Sequence, residues 1–225
     1  MTWLATGWPQ AAQLALTHLV LSLSAIVLSV LIALPLGILA RRRPRLGGML
    51  LSTAGLLYAV PALPLLIIMP ALLGIPLRSP LTLVVVLTIY GAALLVRTVS
   101  DAFAAVDSTT KEAAIAIGHS PRAVFWRVEL LLAMPVIVSG IRVVVVSTVG
   151  LVTIGALVGI SSLGTLFTDG FQRGIAGELL TGLVLTVTLA VLLDTAVVVA
   201  GWMLTPWTHA PHANCSRAEP AEVSP

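Results

Sequence analysis

Residues 19–40 read LVLSLSAIVLSVLIALPLGILA, an apolar run without a charged side chain that ends at Arg41. A helix that crosses the hydrocarbon core of a bilayer needs about 20 residues of this kind. Across all 225 residues, 58% are hydrophobic and 9% are charged, whereas soluble domains carry about 25% charged residues. The run and the composition together predict an integral membrane protein.

Five apolar runs of this kind divide the chain. They lie at about residues 19–40, 49–73, 81–100, 136–158 and 179–204. We therefore expect an all-α integral membrane fold with about five transmembrane helices. An extracytoplasmic segment at 1–13 is expected to precede them. The tail at 206–225 is rich in proline, alanine and polar residues, which predicts cytoplasmic disorder.

The basic residues predict the orientation of the chain, because cytoplasmic loops of membrane proteins are enriched in Lys and Arg. The loops after the first and third runs are basic, and they contain Arg41, Arg42, Arg43, Arg45, Lys111, Arg122 and Arg127. The other two loops hold only Arg78 and Arg173. This asymmetry places the N-terminus outside and the C-terminus inside. These loops also account for the net charge of +3, which does not indicate a nucleic-acid partner.

The residue inventory argues against an enzyme and against a metalloprotein. One cysteine excludes an internal disulfide, and the four histidines share no metal-ligand spacing. The chain contains no G-x-S-x-G, no H-E-x-x-H and no G-x-x-x-x-G-K-[ST] phosphate loop. We therefore expect a transport subunit that binds no cofactor and has no ATP-binding site of its own.

A polar stretch at 111–129, KEAAIAIGHSPRAVFWRVE, interrupts the apolar runs within a loop at 101–135. Its capping residues predict two short helices. Gly118 can end the first helix, and Ser120 followed by Pro121 can begin the second. The stretch is thus expected to form a helical hairpin outside the bilayer.

This hairpin has the composition of a docking element. Small alanines allow close approach, and Phe125 and Trp126 are expected to be buried as large anchors in a partner protein. An amphipathic hairpin at the membrane surface without a partner is the alternative, and the residue types alone leave it open.

A spaced motif runs through the same loop. Its positions are Glu112, Ala113, Ala114 and Gly118, followed after nine residues by Val128 and Leu130. This pattern resembles the EAA loop of binding-protein-dependent ABC importer permeases of type I, with Leu131 where the motif has a proline and Pro135 four residues later. The likeness extends over about residues 14–205. It is greatest to the osmoprotectant branch, which handles glycine betaine, carnitine and choline.

The resemblance implies a set of partners. Two cytoplasmic ABC ATPase subunits would use ATP and Mg, an extracytoplasmic substrate-binding protein would deliver solute, and a second permease, identical or related, would complete the pathway. The chain would be a multi-pass protein of the bacterial plasma (inner) membrane, embedded in the lipid bilayer. Glu112 to Gly118 would carry the coupling to the ATPase.

The expected function is therefore that of a permease subunit that moves an osmoprotectant or quaternary amine by alternating access. Two alternatives stay open at this point. One is a self-contained channel or secondary transporter, which would copurify without an ATPase. The other is a permease for a different small solute, such as an amino acid.

Several residues within the spans are candidates for function. Arg142 and Asp194 are expected to form a buried ion pair, because charged groups in a bilayer need partners. Pro61 and Pro64 predict a bent helix, which either lines a gated pathway or only packs. Other residues have two readings as well.

Residues with hydroxyl groups and two glycines are the remaining candidates for function within the spans. Ser147 and Thr148 can hydrate a pathway or bond back to their own helix. Gly155 and Gly159 form a G-x-x-x-G pair that predicts close packing between subunits. The segment 158–178 is too polar to span, and a short helix on the outer surface is favoured over a partly inserted segment. His18 is interpreted as a boundary residue of the first span.

Overall fold

Helices carry almost the whole chain in the computed structural model, which describes residues 2–209. They are α1 (Thr2–Arg42), α2 (Pro44–Ala59), α3 (Ala62–Leu73), α4 (Pro80–Ala104), α5 (Ser108–Ala116), α6 (Pro121–Val124), α7 (Leu130–Val152), α8 (Gly164–Arg173) and α9 (Ala176–Leu204). A π-helical turn at Phe125–Glu129 joins α6 to α7, and 3-10 turns occupy Thr153–Val158 and Pro206–His209. The predicted disorder of the tail falls mostly on residues 210–225, which lie outside the described residues.

Within the described residues, four helical stretches are long and apolar enough to cross a membrane. They are Gly7–Arg42, Pro80–Ala104, Pro121–Val158 and Ala176–Leu204, and the pair α2 and α3 makes a fifth if it is counted as one span. The prediction of an all-α membrane fold with about five spans is confirmed.

The second predicted span, at 49–73, is not one continuous helix. The direction of the helix axis changes by 109° from α2 to α3, across a short break at Val60 and Pro61. Val60 is extended, with φ −68° and ψ 127°, and the proline that follows it disfavours the α region at this position. The break therefore follows from the local sequence.

The first helix is longer than its apolar run predicts. It begins at Thr2, so residues 2–13, which were expected to form a separate segment, are its first turns. Ala11 and Leu14 are buried there against Leu163 and Leu166. The amino-terminal part of α1 thus belongs to the packed bundle.

Helix α4 lies at the centre of the bundle and packs against α1, α2, α3 and α7. Its buried residues form two apolar clusters, one around Leu95 and Val99 and one around Leu83 and Val86. Lipid tails are as apolar as these side chains, so close packing rather than exclusion of water holds such helices together. A Cβ added at Gly37 of α1 would stand 2.6 Å from Val99, which shows how near the two backbones approach.

The segment after α7 is folded back onto the bundle. Helix α8 is amphipathic, and it was expected to lie on the outer surface. It buries Leu166 and Gly170 on one side, and it packs against α9. Arg173 at its end pairs with Glu178 at 3.1 Å, and Glu178 is fully buried.

Candidate functional site

The loop between α4 and α7 begins with a capped helix. Asp107 accepts a hydrogen bond from the backbone N–H of Thr109 at 3.2 Å, and its carboxylate also accepts from the Thr109 hydroxyl. These bonds to the hydroxyl and the backbone lower the pKa of Asp107. The side chain that starts α5 is thus the N-cap that its residue type predicts.

Gly118 ends α5 in a left-handed conformation with φ 94°. The N–H of Gly118 donates to the carbonyl of Ile115 at 2.9 Å, and the N–H of His119 donates to the carbonyl of Ala114 at 3.1 Å. A residue with a Cβ is strained in this conformation. The turn therefore depends on glycine at this position.

The second arm of the hairpin starts as predicted but does not end as predicted. Ser120 caps it by accepting from the N–H of Ala123 at 3.3 Å, and Pro121 occupies the first turn. The helix then runs through the π-helical turn directly into α7. Leu131 retains the backbone N–H that the motif proline would lack, so the helical hydrogen bonds continue. The two arms are thus a short helix and the beginning of a long one.

Three contacts hold the two arms of this loop together and against the carboxyl-terminal ends of α1 and α4. Lys111 pairs with Glu129 at 3.3 Å between the two arms. The Phe125 ring stacks on Phe103 of α4 with centroids 5.6 Å apart, and the Arg42 guanidinium lies 4.5 Å from the Phe125 ring centre. Phe125 is therefore held against α1 and α4 of its own chain and is half-buried there.

The outward surface of the loop is apolar in part. Ile115, Ile117 and Trp126 are 56%, 76% and 64% exposed. Glu112 and Ala113 are also exposed, whereas Ala114 is buried. We call the exposed set Glu112, Ala113, Ile115, Ile117 and Trp126 the loop face. Ile115 and Ile117 were not among the predicted site residues, although large apolar residues within a polar stretch of sequence indicate a contact surface.

The structure joins Arg142 of α7 to Asp194 of α9. Arg142 Nε lies 2.8 Å from Asp194 Oδ1, and Arg142 Nη2 lies 2.8 Å from Oδ2, which is the bidentate geometry that orients both groups. The side chains are 46% and 23% exposed. The pair therefore lies on a flank of the chain and is not buried, because α7 turns its core face, with Ile137 and Val144, toward α4.

Four residues were candidates for a pathway, and the structure separates them. Ser147 and Thr148 line a cavity of about 490 Å³ between α2, α4 and α7, together with Tyr58 and Tyr90. Pro61 lies at the break between α2 and α3, and Pro64 lies in the first turn of α3. Both prolines are exposed, and neither lines this cavity.

The two glycines expected at a subunit interface are used inside the chain. Helix α7 ends at Val152, so Gly155 and Gly159 do not share a face of an α-helix. A Cβ at Gly155 would stand 2.7 Å from the Leu83 side chain. Gly159 has φ 84° and adjoins Arg78. The change from α to 3-10 geometry is the reason the G-x-x-x-G interpretation is wrong.

His18 is a buried residue that sequence reasoning took for a boundary residue. Its side chain is fully buried, and Nε2 donates to the carbonyl of Val149 at 3.1 Å. It is internal because α1 starts well before the apolar run. The burial of His18 is evident only once α1 is known to begin at Thr2.

The sequence of this chain is similar to those of known membrane transport proteins. The profile of a family described as the binding-protein-dependent transport system inner membrane component matches residues 29–204. The chain is 29% identical over 188 residues to the carnitine transport permease protein OpuCD of Listeria monocytogenes, covering 83% of this chain and 81% of that protein. It is 32% identical over 194 residues to the osmoprotectant import permease protein OsmW of Salmonella typhimurium, covering 81% and 86%.

A solved structure has the same fold. Inward-facing MetNI, a methionine ABC transporter, contains a chain that superimposes with a TM-score of 0.76 at 24% identity, covering 86% of this chain and 95% of that one. At this identity the likeness concerns the architecture of the membrane helices.

Proposed function

Because this chain belongs to the family of inner membrane components of binding-protein-dependent transport systems, we propose that it is the permease subunit for a quaternary-amine osmoprotectant. The solute class is that of carnitine, choline and glycine betaine. The observation that carries the proposal is similarity over about four-fifths of the chain to permeases named for these compounds. Solute would move by alternating access, and the work would come from ATP hydrolysed with Mg by a separate subunit.

The loop face supports coupling to such a subunit. Glu112, Ala113, Ala114 and Gly118 stand where the motif of the family requires them, on a hairpin that packs against the bundle through Phe125 and Phe103. Exposed isoleucines and Trp126 beside small alanines are suited to a cleft on a partner. A rigid hairpin transmits displacement to α4 and α7, because it is packed on one and continuous with the other.

The remaining partners follow from the same membership. A substrate-binding protein would deliver solute on the outer side, and a second permease, identical or related, would form the other wall of the pathway. We propose the orientation that the basic loops indicate, with the loop face and Arg42 in the cytoplasm.

Copurification tests this proposal. The chain, expressed with its candidate ATPase and solubilised in detergent, is expected to retain the ATPase. Glu112→Lys reverses a charge on the loop face, and Gly118→Asp adds a charge and a Cβ at a left-handed position, so both should lose it. Gly118→Asn is the matched control, because asparagine is the side chain that best tolerates this conformation after glycine.

The outcomes separate the alternatives. Retention of the ATPase by wild type and Gly118→Asn, with loss in the other two, supports an ABC permease. A wild-type chain that copurifies with no ATPase but still transports in proteoliposomes would contradict the proposal and favour a self-contained transporter.

A further inference from the structure

The chain has two tyrosines, and both lie at one cavity. Tyr58 comes from the end of α2 and Tyr90 from near the middle of α4. Their ring centroids are 5.7 Å apart and the planes are inclined by 53°. Aromatic residues make up only 5% of the chain. Two tyrosines from separate helices nevertheless lie side by side at this cavity.

The walls of this cavity are neutral. Besides the tyrosines, they comprise Ser147, Thr148, two glycines and aliphatic side chains, and no charged residue lines it among the described residues. The cavity volume of about 490 Å³ lies within the usual range for small-molecule sites. It therefore offers aromatic faces and hydroxyl groups to a solute, without a carboxylate.

This chemistry discriminates between kinds of cation. A primary ammonium group has three N–H donors and loses free energy if they are buried without acceptors. A quaternary ammonium group has no donor to satisfy, and its diffuse charge is attracted to the faces of aromatic rings within about 6 Å. Hydroxyl groups such as that of Ser147 can meanwhile donate to the carboxylate or hydroxyl end of a solute.

The position of the cavity in the fold is suited to a solute that binds briefly and is then released. Tyr90 is 8% exposed and is held in the core, whereas Tyr58 is 49% exposed and lies two residues before the break at Val60. One ring is thus fixed, and the other sits at the end of a helix whose continuation is broken. A movement of α2 relative to α4 would alter the distance between the rings.

We propose that Tyr58 and Tyr90 form a binding site within the permease for the quaternary ammonium group of the transported solute. The site is distinct from that of the delivering protein, and it binds the solute during passage. The inference rests on the proposed function and adds a named site to it.

Binding to the permease itself is the direct test. The assembled permease–ATPase complex, without substrate-binding protein, is titrated with choline in saturation-transfer NMR. Tyr58→Leu and Tyr90→Leu, which remove a π face, are each expected to weaken choline binding about twofold to thirtyfold. Tyr58→Phe and Tyr90→Phe keep the face and are expected to stay within about twofold of wild type.

A neutral isostere separates charge recognition from simple packing. 3,3-Dimethyl-1-butanol has the shape of choline with carbon in place of the charged nitrogen. Its binding is expected to be weaker than that of choline in wild type, and the leucine variants should not weaken it further. Equal losses for choline and the isostere would overturn the cation-specific site.

A cavity-filling variant provides a test that does not touch the tyrosines. Gly150 lines the cavity, and a Cβ there would meet nothing within 4 Å, so Gly150→Leu should fold and occupy the space. Gly177→Leu on α9 is the matched control, because its Cβ also meets nothing within 4 Å. Loss of choline binding in Gly150→Leu alone supports the site, even if a tyrosine variant fails to assemble.

The results also distinguish this inference from the function on which it rests. If wild type imports choline but Tyr58→Leu, Tyr90→Leu and Gly150→Leu bind and import it normally, the site is wrong and the proposed function stands. If the complete wild-type transporter imports no quaternary amine, the proposed function fails and this inference fails with it.

Discussion

At the scale of single residues, the contact between Arg142 and Asp194 shows how a charged side chain on a membrane helix is paired with one of opposite charge. A charged group facing lipid is costly, and a bidentate partner satisfies it. The pair joins α7 to α9 on a flank of the chain, with both distances at 2.8 Å. We infer that it fixes the register of these two helices.

Substitution of the pair should be strongly non-additive. Arg142→Gln or Asp194→Asn leaves the other charge without its partner, so each is expected to lower the melting temperature of the purified complex. The double variant removes both charges and is expected to lose less than the sum of the single losses. Fluorescence-detected unfolding in detergent measures this. Additive losses would show that the contact contributes nothing.

The pair of Lys111 and Glu129 is the matched comparison. It lies in the loop, it has one contact at 3.3 Å, and both side chains are partly exposed. Exposed ion pairs contribute about 0–1 kcal/mol. The corresponding Lys111→Gln and Glu129→Gln cycle is therefore expected to show little coupling.

At the same scale, sequence reasoning identified residue types better than residue surroundings. The N-cap and the left-handed glycine of the loop follow from local chemistry, since Asp107 and Gly118 each satisfy backbone groups nearby. The burial of His18 and the internal packing of Phe125 depend on helices distant in sequence. No local pattern contains that information.

At the scale of elements, the break between α2 and α3 lies close to the cavity, because Tyr58 lines the cavity and the break follows it in sequence. Pro61 disfavours the α conformation at Val60, and α2 ends at Ala59, one residue after Tyr58. Pro64 acts in the same direction, because its ring would clash with the carbonyl of Val60 in a continuous helix. The two prolines thus favour a break at this point, and the bend across it is 109°.

Pro61→Ala is therefore expected to reduce the bend between α2 and α3 and to lower the uptake rate. Spin labels placed at Leu56 and Leu72, each 71% exposed, report the bend as a distance. The distance between them is expected to increase in the variant. Pro64→Ala is the control, because it lies inside the first turn of α3 and leaves Pro61 in place. An unchanged distance in Pro61→Ala would assign the bend to Pro64 and tertiary packing.

Hydropathy located the elements well and described their ends poorly. The apolar runs for α4 and α9 agree with the helices to within a few residues. The run for α1 was too short because polar residues at a helix end do not stop a helix. The run at 136–158 begins and ends later than α7, which starts at Leu130, includes Pro135 and ends at Val152. The prolines of the second run were recognised as a bend, but its size depends on how α3 packs against α4.

At the scale of the whole molecule, the loop face and the cavity lie on different parts of one rigid framework. The hairpin packs on α4 through Phe103 and continues into α7, while α4 and α7 supply Tyr90 and Ser147 to the cavity. Movement of the hairpin by a partner would therefore reach the cavity through two helices. This connection is the structural basis that we propose for coupling.

The orientation of the molecule gives a separate prediction. On a Cys215→Ser background, Gln172→Cys in the last turn of α8 and Thr110→Cys in α5 place single thiols at exposed positions. A membrane-impermeant maleimide is expected to label Gln172→Cys in intact cells and Thr110→Cys only after permeabilisation. The reverse pattern would mean that the basic loops do not face the cytoplasm.

Import itself tests the central claim most directly. The chain is reconstituted in proteoliposomes with its ATPase and substrate-binding protein, and uptake of labelled choline, carnitine and glycine betaine is measured with and without internal ATP. We predict ATP-dependent accumulation of at least one of them, with labelled methionine not accumulated, and loss of uptake in Glu112→Lys. Accumulation of methionine but of no quaternary amine, or uptake that is independent of ATP, would contradict the account.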